Sequence, residues 1–149
     1  MHNFFILLAT GFYSGYSKYA PGTVGTLVAL PILGLSMWFS LLGKFFIFLL
    51  LFVLGIVASE YYESYKEKKD PKEVVIDEIA AYYFILIFID LTFVNIILTF
   101  LLFRFFDITK IYPANVAESV GGGTGIMLDD MVAALYSILV FFILRGILW

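Results

Sequence analysis

Two adjacent carboxylates, Asp129 and Asp130, stand at the entrance of an apolar run, Met131–Leu144, that reads as a membrane helix. Ionised carboxylates in that position are costly to desolvate without a cation. Directly before them comes Gly121-Gly122-Gly123-Thr124-Gly125, a backbone free to take positive φ and bare enough for close approach. Two readings fit this stretch on its own. In one, the aspartates help to bind a divalent metal and the glycine loop meets a phosphate. In the other, the glycines are a flexible linker and the aspartates an N-terminal helix cap, since Asp favours helix starts. The rest of the chain has to decide between them.

The surrounding sequence is that of a membrane protein. Of 149 residues, 62% are hydrophobic and 14% charged, where a soluble domain is nearer half apolar and a quarter charged. The expected fold is all-α: one domain over 1–149, an integral membrane helical bundle with about four to five membrane helices and a short N-terminal interfacial or re-entrant segment. Asn3–Tyr13 is too short to span. The expected helices are Val24–Leu42 with a kink at Pro31, Phe45–Ser59 after a tight turn at Gly43-Lys44, Val74–Ile89, Phe93–Phe106, and Met127 to about Leu148. Glu60–Glu73 is strongly charged and reads as a solvated loop or a helical extension. No cleavable signal pattern is seen, because Asn3–Ala9 is short and lacks a basic flank.

Alternating helices give the chain two sides. One collects Lys18, Lys66, Lys68, Lys69, Lys72, Arg104 and Lys110; the other has only Lys44 and Arg145. By the positive-inside rule the first side is cytoplasmic. Asp77, Glu78, Arg104, Asp107, Asp129, Asp130 and the Pro21-Gly22-Thr23 loop all fall on that side, a convergence that composition does not require. Asp90 and Arg145 mark the opposite surface. From Asp90 back to Asp77 is 13 residues, and from Asp130 to Arg145 is 15, so these helices rise roughly 18–23 Å. The hydrocarbon core is about 30 Å thick. The carboxylates are therefore expected at lipid-headgroup level rather than in the cytosol.

Asp77 with Glu78, Asp107, and Asp129 with Asp130 come from three helices. With one arginine and one lysine nearby, they cannot all be ionised in a half-buried site unless cations join them. Oxygen-only ligands select a hard metal, Mg²⁺ first and Mn²⁺ second, and Mg²⁺ commonly shares itself with substrate phosphate. Arg104, Asp107 and Lys110 share roughly one helix face, so Arg104 and Lys110 are candidate phosphate binders, with Thr23, Gly22, Gly123 and Thr124 assisting. The plainer alternatives are a structural Arg104–Asp107 ion pair and, for the Pro-Gly-Thr loop, a simple re-entrant turn. Tyr61, Tyr62, Tyr82, Tyr83 and Phe105 read as packing and interface belt. With no cysteine, a terminal histidine (His2) and no DxDx[TV] segment, covalent phosphoenzyme routes drop away. Metal-activated water attacking phosphorus in line remains.

Five segments, in this order and spacing, resemble the phosphatidylglycerophosphatase A family. They are Leu8–Phe12, Pro21–Thr26, Ile76-Asp77-Glu78, Arg104–Lys110 with Pro113, and Gly122–Asp130. One departure is Gly121–Gly123, where some members carry His-Gly-Gly. The resemblance covers nearly the whole chain. It implies a Mg²⁺-dependent enzyme of the bacterial inner membrane that hydrolyses phosphatidylglycerophosphate to phosphatidylglycerol and phosphate. It also implies that the acids of the Asp-Glu, Arg-x-x-Asp and Asp-Asp motifs form the active site. The expected partners are that lipid and the bilayer, with no nucleic acid and the oligomeric state open. The rival class is a cation- or proton-coupled transporter, which needs polar groups through the whole thickness. A phosphatidyl- or alcohol-phosphotransferase is a second rival, but its D-G-x-x-A-R-x(8)-G-x(3)-D pattern is absent.

Overall fold

The computed structural model describes residues 2–148. Among these the chain is all-helical, with no strand. Seven helices follow in order: α1 (His2–Ala9), α2 (Pro21–Ser36), α3 (Leu41–Lys66), α4 (Ile76–Phe88), α5 (Phe93–Thr109), α6 (Ala114–Ser119) and α7 (Gly122–Leu148). A short 3₁₀ turn at Ser14–Tyr16 lies between α1 and α2. Two helices, α3 and α7, are long and apolar enough to cross a membrane.

The helix ends follow local chemistry. The break between α2 and α3 comes at Met37–Ser40, earlier than the expected Gly43-Lys44, because Ser40 caps α3: its Oγ accepts the Gly43 N–H at 3.3 Å. Thr92 caps α5 in the same way, accepting from Asn95 at 3.2 Å. Lys110 ends α5 in the left-handed region. α3 continues through Lys66, so the first half of the charged stretch is a helical extension and the remainder a loop.

α4 is the axis of the bundle and packs against α2, α3 and α7. Beyond Asp77-Glu78 in its first turn its sequence is apolar all round, and Ile79, Ala80, Ala81, Tyr82, Tyr83, Ile85 and Leu86 are all buried, as a helix enclosed by neighbours requires. The two tyrosines bring their own hydroxyl partners: Tyr82 donates to the Ile96 carbonyl at 2.8 Å and Tyr83 to Ser36 Oγ at 3.0 Å. Outside this core the surface is broadly apolar, with Leu35, Trp38, Phe46, Leu50, Phe93 and Leu101 exposed. An exterior of that kind matches lipid rather than water.

The glycine stretch is not the loop that its composition suggests. Gly122–Gly125 form the first turn of α7, where that helix crosses α3. A Cβ on Gly123 would lie 2.0 Å from the carbonyl oxygen of Ile56, so only glycine admits this close crossing. The Gly123 N–H, one of the unpaired donors of the helix start, is taken by Glu60 Oε2 of α3 at 2.6 Å. Gly123→Ala is therefore expected to destabilise the fold by about 1–3 kcal/mol, the usual cost of forcing atoms into a filled contact. A lowered thermal midpoint in detergent measures it; an unchanged midpoint would mean that the crossing is loose.

Candidate active site

One end of the bundle holds an open cavity of about 440 Å³. The starts of α2 and α4, the end of α5, the upper part of α7 and the loop before α4 all contribute to it. Its charged lining is Asp70, Asp77, Glu78, Asp107, Asp129 and Asp130 against Lys72, Arg104 and Lys110. Six carboxylates facing three cations in so confined a space favour anything that adds positive charge.

The two cations that reach inward are held by acids from different helices. Arg104 of α5 places Nη1 2.9 Å from Glu78 Oε1 on α4 and 2.6 Å from Asp107 Oδ2 on its own helix. The i, i+3 ion pair thus exists, but as part of a three-residue bridge between helices. Lys110 Nζ lies 2.8 Å from Asp129 Oδ2 on α7 and 3.1 Å from Glu118 Oε1 on α6. Burial alone would draw Lys110 downward, yet Asp129 and Glu118 hold it above the ordinary lysine range.

After these pairings three buried carboxylate oxygens still have no hydrogen-bond partner: Asp77 Oδ1, Glu78 Oε2 and Asp130 Oδ2. Leaving such acceptors unsatisfied is expensive. An all-oxygen, negatively charged donor set of this kind suits a hard divalent cation. Among the described residues no group of three or more His, Cys, Asp or Glu side chains is placed to hold a metal ion. A cation here would draw the rest of its shell from water or ligand, which is Mg²⁺ behaviour.

The helix-cap reading of the aspartate pair does not survive. α7 begins at Gly122, so Asp129 and Asp130 lie about two turns inside it, beyond reach of its free N–H groups. Both are buried. All five candidate acids, with Arg104, Lys110 and Gly22, line the same cavity. Thr23, Gly123 and Thr124 are not among its lining residues. Gly22 sits hard against Glu78, since a Cβ there would come 2.1 Å from Oε1. Three acids escape a reading of sequence. Asp70 and Glu60 are hidden in a run that looks like a solvated face, and Glu118 matters only because the short α6, absent from the expected helices, carries it to Lys110. At the other end of the bundle Arg145 pairs with Asp90 at 2.6 Å.

A family model described as Phosphatidylglycerophosphatase A matches residues 7–145. A Haemophilus influenzae protein named phosphatidylglycerophosphatase A is 40% identical over 93% of this chain and 87% of its own. The Escherichia coli protein of that name is 32% identical over 92% of this chain and 81% of its own. A Bacteroides thetaiotaomicron protein is 35% identical over 96% of this chain and 94% of its own, and it carries the provisional name phosphatidylinositol-3-phosphatase. No solved structure gives a significant match.

Proposed function

The chain belongs to the phosphatidylglycerophosphatase A family, and from that premise we propose that it is a lipid phosphatase acting on phosphatidylglycerophosphate at the cytoplasmic face of a bacterial inner membrane. The observation that carries this reading is the single cavity in which paired cations and unpartnered carboxylate oxygens meet. Besides α3 and α7, α2 and α5 cross the bilayer with apolar outer faces. α4 crosses within their enclosure, where its 13 residues need not match the lipid thickness. Among the described residues the opposite half offers no ionisable path: Lys44 stands at its rim, Asp90 and Arg145 neutralise each other, and the buried hydroxyls between are bonded to backbone or to one another. This argues against a transporter.

Arg104 and Lys110 take the terminal phosphate. Each is already oriented by two carboxylates, so little order is lost when an equatorial phosphate oxygen replaces one of those contacts. Asp77, Glu78 and Asp130, whose free oxygens are not drawn together as a three-ligand site here, would supply donors to Mg²⁺, with Asp107 and Asp129 beside them and water or substrate phosphate making up the rest. When bound, the ion supplies positive charge to the phosphoryl oxygens and acidifies water. Water attacks phosphorus in line and the P–O bond to the headgroup glycerol breaks. The electron pair stays with the glycerol oxygen. The proton given up by water passes to a free carboxylate oxygen and from there to the departing alcohol. Phosphatidylglycerol then leaves sideways in the bilayer.

The test is substrate choice. In mixed micelles, kcat/KM for phosphatidylglycerophosphate is expected to exceed that for water-soluble glycerol 3-phosphate by about 10² or more, because remote binding energy from the acyl anchor is lost in the latter. Equal values would mean a site open to the cytosol. Faster turnover of phosphatidylinositol 3-phosphate than of phosphatidylglycerophosphate would move the assignment to the inositol lipid named for one relative.

A further inference from the structure

A second cavity of about 490 Å³ adjoins the first, and the two share Ala20, Pro21 and Lys72 as lining residues. Its character is opposite. Lys18 and Lys72 line it, with Tyr16 and Ser17, and its one carboxylate is Glu73, which Lys66 approaches at 3.9 Å. Neither Lys18 nor Lys72 has an ion-pair partner among the described residues. The nearby acidic cavity, by contrast, has its inward cations fully engaged.

The backbone here is built to hold its shape. Lys18 belongs to the loop between α1 and α2, and Lys72 to the loop before α4; three contacts lock these loops together. The Val75 N–H donates to the Ala9 carbonyl at 2.9 Å. A Cβ on Gly15 would lie 2.0 Å from the Glu73 carbonyl oxygen, so the two backbones touch directly. Gly11 packs on Val75 and Ile79. The first loop also keeps Phe12, Tyr13 and Ala20 in the left-handed region, a conformation that non-glycine residues hold only where surrounding structure imposes it. Phe12, Tyr13 and Tyr19 are exposed on this loop, and aromatics of that kind settle at the level of lipid headgroups.

We infer that this second cavity is a phosphodiester subsite, in which Lys18 and Lys72 hold the lipid-side phosphate of the substrate while its terminal phosphate lies between Arg104 and Lys110. The inference rests on the lipid phosphatase reading above. A headgroup with a monoester and a diester phosphate joined by glycerol needs two adjacent anion sites, one of them at headgroup level. The two cavities meet at Lys72. A lipid bearing only the monoester fills the first and leaves the second empty, so this pair of lysines sets selectivity.

The experiment compares Lys18→Gln, Lys72→Gln and the double variant with wild type in two measurements. The first is the ratio of kcat/KM for phosphatidylglycerophosphate to that for phosphatidic acid. It is expected to fall about tenfold or more in the double variant, the scale of losing a charged hydrogen bond, and to be kept by Lys18→Arg and Lys72→Arg. A ratio equal to wild type overturns the subsite. The second is binding of phosphatidylglycerol, which carries the diester alone, to the enzyme in uncharged micelles. The double variant is expected to bind it about tenfold more weakly; equal binding overturns the subsite. If wild type hydrolyses neither lipid yet the second measurement shows the loss, the phosphatase reading fails while the diester site stands.

Discussion

Asp77→Asn and Asp130→Asn should each lower kcat by about 10² or more, the scale of removing one strong electrostatic contact from a reacting centre, while leaving the fold intact. Both carboxylates are buried, and each has an oxygen without a partner. In the metal-free protein that is an uncompensated desolvation cost, which an amide of the same shape largely removes. Thermal midpoints of the two variants in chelator should therefore equal or exceed that of wild type. Stability and activity moving in opposite directions is the signature of groups retained for chemistry. Glu78→Gln should lose as much activity, but it also breaks the Arg104 bridge, so its midpoint should drop. Near wild-type turnover by both Asp77→Asn and Asp130→Asn would remove the carboxylate site from the mechanism.

Chelation should have an effect at least as large. In excess EDTA phosphate release from the lipid should fall to background and return with Mg²⁺, because Arg104 and Lys110 are already shared among four carboxylates. A readout independent of turnover is available. Mg²⁺ at 100 times its Kd would stabilise wild type by about 2.7 kcal/mol through mass action, raising its thermal midpoint. The Asp77→Asn/Asp130→Asn double variant should show little of this rise. Full phosphate release in excess chelator would exclude a metal from the reaction, and an equal Mg²⁺ shift in the double variant would place the ion elsewhere.

The candidate acids that line the cavity were legible because carboxylates inside apolar helices are conspicuous. Asp77-Glu78, Asp107 and Asp129-Asp130 each interrupt hydrocarbon-like sequence, and helix alternation alone assigns them to one side. Arg104 and Lys110 were legible by the same contrast. Asp70 and Glu118 were not, since nothing local separates a loop acid that lines a cavity from one that faces water.

What the sequence determined by itself was the all-helical class of the fold, the helices that carry Asp77, Glu78, Arg104, Asp107, Asp129 and Asp130, and the end of the bundle where that charge collects. Hydropathy and helical period decide these things locally, and distant contacts do not change them. Only the tertiary structure decided the fate of the glycines. Their low helix propensity favours a loop, but the close crossing on Ile56 and the Glu60 carboxylate offset that preference and draw Gly122–Gly125 into α7. Only the tertiary structure, too, sorted the carboxylates. Which oxygens are spent on Arg104 and Lys110, and which are left free on Asp77, Glu78 and Asp130, depends on how α4, α5 and α7 pack side by side. That is a matter of ångströms between helices, and spacing along the chain does not contain it.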